Sequence, residues 1–134
     1  MNSKEERIRC QKLWAKNKYL VLSHSSKIYL EIRTYLKQEE VSLSKVNELI
    51  KQAVNLPEDK GQVTNALHHV WGYFKKYATK EEKDNFFEII EEYHNNKYKK
   101  EDLIKEVKHL LNKYPNKYLE GSTFINGGQD ETLA

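Results

Sequence analysis

The chain has 134 residues, 38% of them hydrophobic and 32% charged, with 5 Gly and 2 Pro. That is the length of one domain able to bury a core without disulfide or metal support, and the scarcity of turn formers argues against a β architecture. Every basic group but only 17 of the 20 acidic ones lies before Leu119, so this part carries +6, and 20 of the 23 basic side chains are lysine. A lysine-rich surface attracts phosphate diffusely rather than reading base edges bidentately, and it also serves solubility alone. Cys10 is the only cysteine, which excludes an intramolecular disulfide and a cysteine-ligated cluster. The charged start, Met1-Asn-Ser-Lys-Glu-Glu-Arg7, leads into no long apolar run. A cytoplasmic protein with no membrane segment is therefore expected.

In chain order, the first predicted helix runs from about Ser3 to His24, with Glu5 and Glu6 at the positive end of its dipole. Cys10, Leu13/Trp14, Asn17, Leu20/Val21 and His24 recur at three- and four-residue spacings, so Asn17 and His24 fall on an apolar seam. They are either core groups satisfied by backbone carbonyls or the edge of a polar pocket, with Lys18 beside the seam. Ser25 or Ser26 can cap a second helix burying Tyr29, Ile32 and Tyr35/Leu36. Ser42 or Ser44 can cap a third, with Val46, Leu49/Ile50 and Ala53/Val54 inward and Pro57 as its stop.

The stretch Val63–Tyr77 is the centre of the pattern. As one helix it places Val63, Leu67, Val70, Phe74 and Tyr77 on a core-facing stripe. Asn65, His69, Gly72 and Lys76 then align on the opposite side, with Gly72 offering room for another backbone. Thr79-Lys-Glu-Glu82 reads as a capping box opening a fifth helix packed through Phe86, Ile89/Ile90 and Tyr93. A sixth helix has Glu101 and Asp102 in its first turn, buries Leu103, Val107, Leu110/Leu111 and Tyr114, and stops at Pro115. From Asn116 helical period is lost; Tyr118, Leu119, Phe124 and Ile125 are expected to pin this stretch over the core. The expected fold is all-α: a single bundle of about six helices over residues 1–125, with a flexible C-terminal tail over 126–134.

No catalytic or metal chemistry is legible. The histidines show no HExxH spacing, His68 and His69 point about 100° apart, and Ser23, His24 and Ser25 are sequence neighbours that cannot face one another on a helix. No cofactor is expected. Lysines alternating with tyrosines at Lys75-Lys76, Lys97–Lys100 and Lys113–Tyr118 combine phosphate neutralisation with ring stacking. Such residues also roof helix ends and face solvent.

Trp14 with Lys18, Leu22-Ser-His-Ser25 with Tyr29, Asn65-Ala-Leu-His-His69 with Gly72-Tyr-Phe-Lys75, Glu81-Glu-Lys83, Tyr114-Pro115 and Tyr118-Leu119 follow one another in an order that resembles the YbgA-like family. This is a bacterial domain of unknown function, found alone or joined to a thiouracil-desulfidase domain. The resemblance spans roughly residues 10–125. It departs at Asn17 and Gln62, where histidine is common, and at Gly121–Ile125, which replaces a segment bearing glutamine and proline. The resemblance implies an α-helical domain that holds transfer RNA or another structured RNA, without catalysis of its own, accessory to desulfidation of thiolated uridine. The expected RNA-binding residues are Lys18, His24, Tyr29, Asn65, His69, Tyr73, Lys75 and Lys76, gathered in one polar groove. The alternative is a helical module that docks a protein, such as a separately encoded desulfidase-type partner, or a purely structural domain. An exposed Trp71 would favour that alternative.

Overall fold

A computed structural model of the protein describes residues 2–127. Among them no strand occurs, and the long helices are α1 (Ser3–His24), α2 (Ser26–Tyr35), α3 (Leu43–Val54), α4 (Lys60–Trp71), α5 (Lys80–His94) and α6 (Lys100–Lys113). Two single-turn helices, α7 (Lys117–Glu120) and α8 (Thr123–Asn126), follow. The all-α bundle expected from the sequence is the fold observed. No described helix is long and apolar enough to cross a membrane.

Local chemistry sets the boundaries. Asn2, Ser25, Ser42, Asp59 and Thr79 cap α1 to α5 by accepting a backbone N–H of the first turn. The capping box is complete: Thr79 Oγ1 accepts from Glu82 N at 3.1 Å, and Glu82 Oε1 accepts from Thr79 N at 2.8 Å. Asp102 returns the same bond to Lys99 N at 2.8 Å.

α1 lies between two apolar clusters. Cys10, Trp14 and Val21 pack with Ile28 and Ile32 of α2 and with Val46, Leu49, Ile50 and Ala53 of α3. Tyr19 and Leu22 pack with α4, α5, α6 and the C-terminal turns, around Phe74 and Phe86. Tyr29 touches both clusters. The loop from α2 to α3 is tied back to α1: the Arg7 guanidinium donates to the carbonyls of Leu36, Gln38 and Glu39, and Glu6 accepts from Leu43 N at 2.9 Å. A cation at the end of α2 and a carboxylate at the start of α3 each complement the local helix dipole.

The central stretch corrects the sequence reading. α4 ends at Trp71, and from Gly72 the chain turns through i→i−3 bonds from Gly72 N, Tyr73 N and Phe74 N. The two-sided wheel drawn through Tyr77 therefore stops at Trp71, and Lys76 does not share a helix face with Asn65 and His69. Phe74 is still fully buried, whereas Tyr77 is 65% exposed and stacks on Tyr114 instead of completing the core stripe. Gly72 admits no neighbouring element: a Cβ there would meet the carbonyl oxygen of His69, in its own chain, at 3.1 Å.

The segment after Pro115 is more regular than expected. Leu119, Phe124 and Ile125 are buried as anticipated, within α7 and α8. Asn126 belongs to α8, and the rest of the expected flexible tail, from Gly128 on, lies outside the described residues. Thr123 decides the placement of α8. Its hydroxyl bonds the fully buried Asn17 at Oδ1 (2.7 Å) and lies 3.2 Å from the Lys16 carbonyl, while Asn17 Nδ2 donates to Leu13 O at 2.9 Å. Thr123→Val should leave the Asn17 carbonyl buried without a partner and cost about 1–3 kcal/mol in urea unfolding. Asn17→Leu/Thr123→Val, which removes both polar groups, should recover most of that loss.

Candidate nucleic-acid interface

A cluster of aromatic rings with a lysine over it gathers where α1, α4 with the turn after it, and α7 converge. Tyr19 of α1 is buried with its hydroxyl 2.9 Å from that of Tyr73. Tyr73 stacks on Tyr118 of α7, ring centroids 5.7 Å apart and planes 13° from parallel, and Tyr19 meets the Tyr118 ring edge-on at 6.5 Å. The His69 ring lies 6.3 Å from that of Tyr19. Lys18 Nζ stands over two of these rings, 5.3 Å from the Tyr19 centroid and 5.4 Å from that of Tyr118. Each contact is within cation–π range.

The electrostatics follow from burial. Desolvation pushes the Tyr118 hydroxyl up to about 12, with neighbouring Tyr73 and Tyr29 adding to it. Tyr19 is raised further, first by desolvation and then by its bond to Tyr73. Lys18 is lowered, by desolvation and then by the Arg33 guanidinium. Arg33 itself lies over the Tyr29 ring at 5.8 Å. The cluster thus holds a partly desolvated ammonium among neutral phenols, and an arriving anion would restore its lost solvation.

Of the expected site residues, Lys18, Tyr73 and His69 meet around Tyr19. Tyr29 lies near enough to Tyr118 to influence its titration, but it is half-buried and packs on Trp14 at 5.3 Å. Asn65 is exposed on α4, and Lys75 and Lys76 are exposed in the turn that carries Tyr73. His24 is engaged elsewhere. Its Nδ1 lies 2.7 Å from the Leu56 carbonyl and its Nε2 3.8 Å from Glu58, which also pairs with Lys100 at 2.8 Å. Asn17 and Gln62 are likewise struts, since Gln62 Oε1 accepts from Ser26 N at 2.9 Å.

The lysine runs divide between the two ends of the bundle. Lys113 pairs with Glu82 at 3.0 Å, and Tyr114 donates to Glu82 at 2.7 Å. This places the end of α6 beside the start of α5, on the side of Lys75 and Lys76. Lys97–Lys100 follow the other end of α5, where Lys60 bonds Asn96 and Lys100 meets Glu58.

Tyr19 and Tyr118 were not among the residues expected at the site. A signal for them exists in the sequence: Asn17-Lys-Tyr-Leu20 recurs as Asn116-Lys-Tyr-Leu119, and the two copies come together in space through their tyrosines.

Residues 18–127 match the model of a family described as protein of unknown function (DUF1722). The chain belongs to this DUF1722 family. No curated protein and no solved structure matches it. The family match begins at Lys18 and contains Tyr19, His69, Tyr73 and Tyr118, so the cluster lies within the matched region.

The raised tyrosines define a pH dependence. A hydroxyl with an ordinary value of 10.0 that is held protonated by the fold contributes stability in full below pH 10.0, and that contribution is lost as pH rises through the folded value, about 12 for Tyr118. Urea unfolding followed by helical circular dichroism should therefore show stability falling as pH rises from 10.0 to about 12. Tyr118→Phe should flatten the loss of stability between pH 10.0 and about 12.

Proposed function

We propose that this DUF1722 protein is a non-catalytic RNA-binding domain whose binding face is centred on Lys18, Tyr73 and Tyr118 and extends over His69, Asn65, Lys75 and Lys76. The observation that carries the reading is Lys18, partly desolvated and poised over the rings of Tyr19 and Tyr118. A phosphate would pair with the ammonium, while unpaired bases would stack on Tyr73 and Tyr118, which remain half-buried rather than closed off. Lys75 and Lys76 would add phosphate contacts, and the exposed Asn65 and His69 supply hydrogen-bonding groups for a sugar or base edge.

The resemblance to YbgA-like domains, which occur joined to thiouracil-desulfidase domains, makes transfer RNA the favoured RNA and an accessory role in thiouridine desulfidation the favoured context. Burial of Trp71, 6% exposed and stacked on Phe86, removes the aromatic side chain that would have anchored a protein partner. His24 takes no part in the binding face, because its ring is committed to Leu56 and Glu58.

Titration with total transfer RNA at several salt concentrations tests this reading. Binding should weaken log-linearly with salt, and Lys75→Ala/Lys76→Ala should make the slope shallower by about 1 for each lysine that contacts phosphate. Replacing Tyr118 by Leu should weaken binding by about 1–3 kcal/mol at unchanged slope if one base stacks there. His24→Ala should bind as the parent does. Absence of binding at low salt overturns the proposal and leaves the face as a docking surface for a desulfidase-type protein.

A further inference from the structure

A second pair of stacked tyrosines lies beside Lys75 and Lys76, outside the cluster around Lys18. Tyr77 lies on Tyr114 with ring centroids 6.3 Å apart and planes 23° from parallel, much as Tyr73 lies on Tyr118 at 5.7 Å and 13°. The two pairs are in register: four residues forward from Tyr73 to Tyr77 are matched by four back from Tyr118 to Tyr114. Each pair is covered by one ammonium, Lys18 at 5.4 Å from the Tyr118 centroid and Lys113 at 5.5 Å from that of Tyr114.

The second pair is the more open. Tyr77 is 65% exposed, so one face of its ring rests on Tyr114 and the other meets water. Tyr114 beneath it is fixed: its hydroxyl donates to Glu82 at 2.7 Å, and Glu82 is held in turn by Thr79 N at 2.8 Å and Lys113 at 3.0 Å. Lys113 is spent on that carboxylate and is not free for a phosphate. Lys75, Lys76, Lys80 and Lys117 are exposed and enter no ion pair among the described residues. Residues 73–82 and 113–118 thus carry five lysines against two carboxylates, Glu81 and Glu82, the second of them already neutralised by Lys113.

We infer that Tyr77 is a second base-stacking position, so that the binding face takes an unpaired stretch of RNA, running from Lys18 past Lys75 and Lys76 to Tyr77, and not a duplex. This rests on the RNA reading of the tyrosine cluster. A base on the open face of Tyr77 continues the column begun by Tyr114, while the unpaired lysines meet the phosphates on either side of it. The spacing selects the strand. Residues 73 and 77 are about one helical turn apart, joined by i→i−3 and i→i−4 bonds, which separates their Cβ atoms by roughly 5–6 Å. Bases in a duplex follow one another at about 3.4 Å with their faces covered by their neighbours, so a paired strand cannot lay one base on each ring.

Fluorescence-anisotropy titration of the full chain with a labelled oligouridylate about ten nucleotides long, and with an RNA duplex of about that length, tests the inference. The single strand should bind about tenfold or more tighter than the duplex at the same salt. Tyr77→Ser should weaken single-strand binding about 5- to 150-fold at unchanged salt slope, the stacking of one base, and leave duplex binding as it is. Tyr77→Leu, which keeps an apolar cover on Tyr114 without a flat ring, should behave like the serine variant, and Tyr77→Phe, which keeps the ring, should bind as the parent does. Because Tyr77 is exposed, helical circular dichroism should be the same in all three. Equal affinity for strand and duplex, or a phenylalanine variant as weak as the serine one, overturns the inference. If Tyr118→Leu weakens binding of the oligouridylate and Tyr77→Ser does not, the second position falls while the RNA reading stands; no binding of either RNA at low salt overturns both.

Discussion

Burial of α1 on two sides is the constraint on which the rest of the structure depends. One side of this helix closes the cluster formed with α2 and α3, and the other closes the larger cluster formed with α4 to α8. Neither set of helices could cover its apolar surface without it, because the hydrophobic gain scales with area removed from water and α1 supplies the shared area. A helix used this way cannot be amphipathic in the ordinary sense. Cys10, Trp14 and Val21 point one way while Tyr19 and Leu22 point another, leaving Arg9, Lys12 and Lys16 to line a cavity against α3.

Polar groups hold the assembly in register. Asn17 would be costly in an apolar seam, and its cost is offset by bonds to Leu13 and Thr123. Gln62 caps the start of α2, and His24 joins the end of α1 to the segment before α4. These side chains resemble pocket residues when read along one helix. In the folded chain each bonds to another segment, Asn17 keeping a second bond to Leu13 within α1. Asn17 and the segment 121–125 meet through Thr123, so an amide and a hydroxyl together fix how the C-terminal turns lie on α1.

The same packing creates the chemistry of the tyrosine cluster. Lys18 precedes the buried Tyr19 on α1, and its ammonium lies over the rings of Tyr19 and Tyr118 and away from open water. The lowered value of Lys18 and the raised values of Tyr19 and Tyr118 share a cause, the removal of water from groups whose charged forms need it. Tyr118 reaches this place only because Asn116 caps a short turn after Pro115 and Leu119 anchors that turn in the core.

The sequence by itself determined the helices and their inward faces, because these follow from local rules: caps at Ser25, Ser42 and Thr79, and periodic burial of Val46, Leu49, Phe86, Leu103 and Val107. It overran where a local rule was extended too far. The wheel drawn to Tyr77 assumed α-helical geometry beyond Gly72, where i→i−3 bonds end α4. Tertiary structure alone decided which polar residues are tied up inside the fold, since hydrogen-bond partners such as Thr123 for Asn17 lie 106 positions away. It also decided that Lys18, Tyr73 and Tyr118 share one place. Their meeting depends on three segments docking together, and sequence spacing holds no information about that distance.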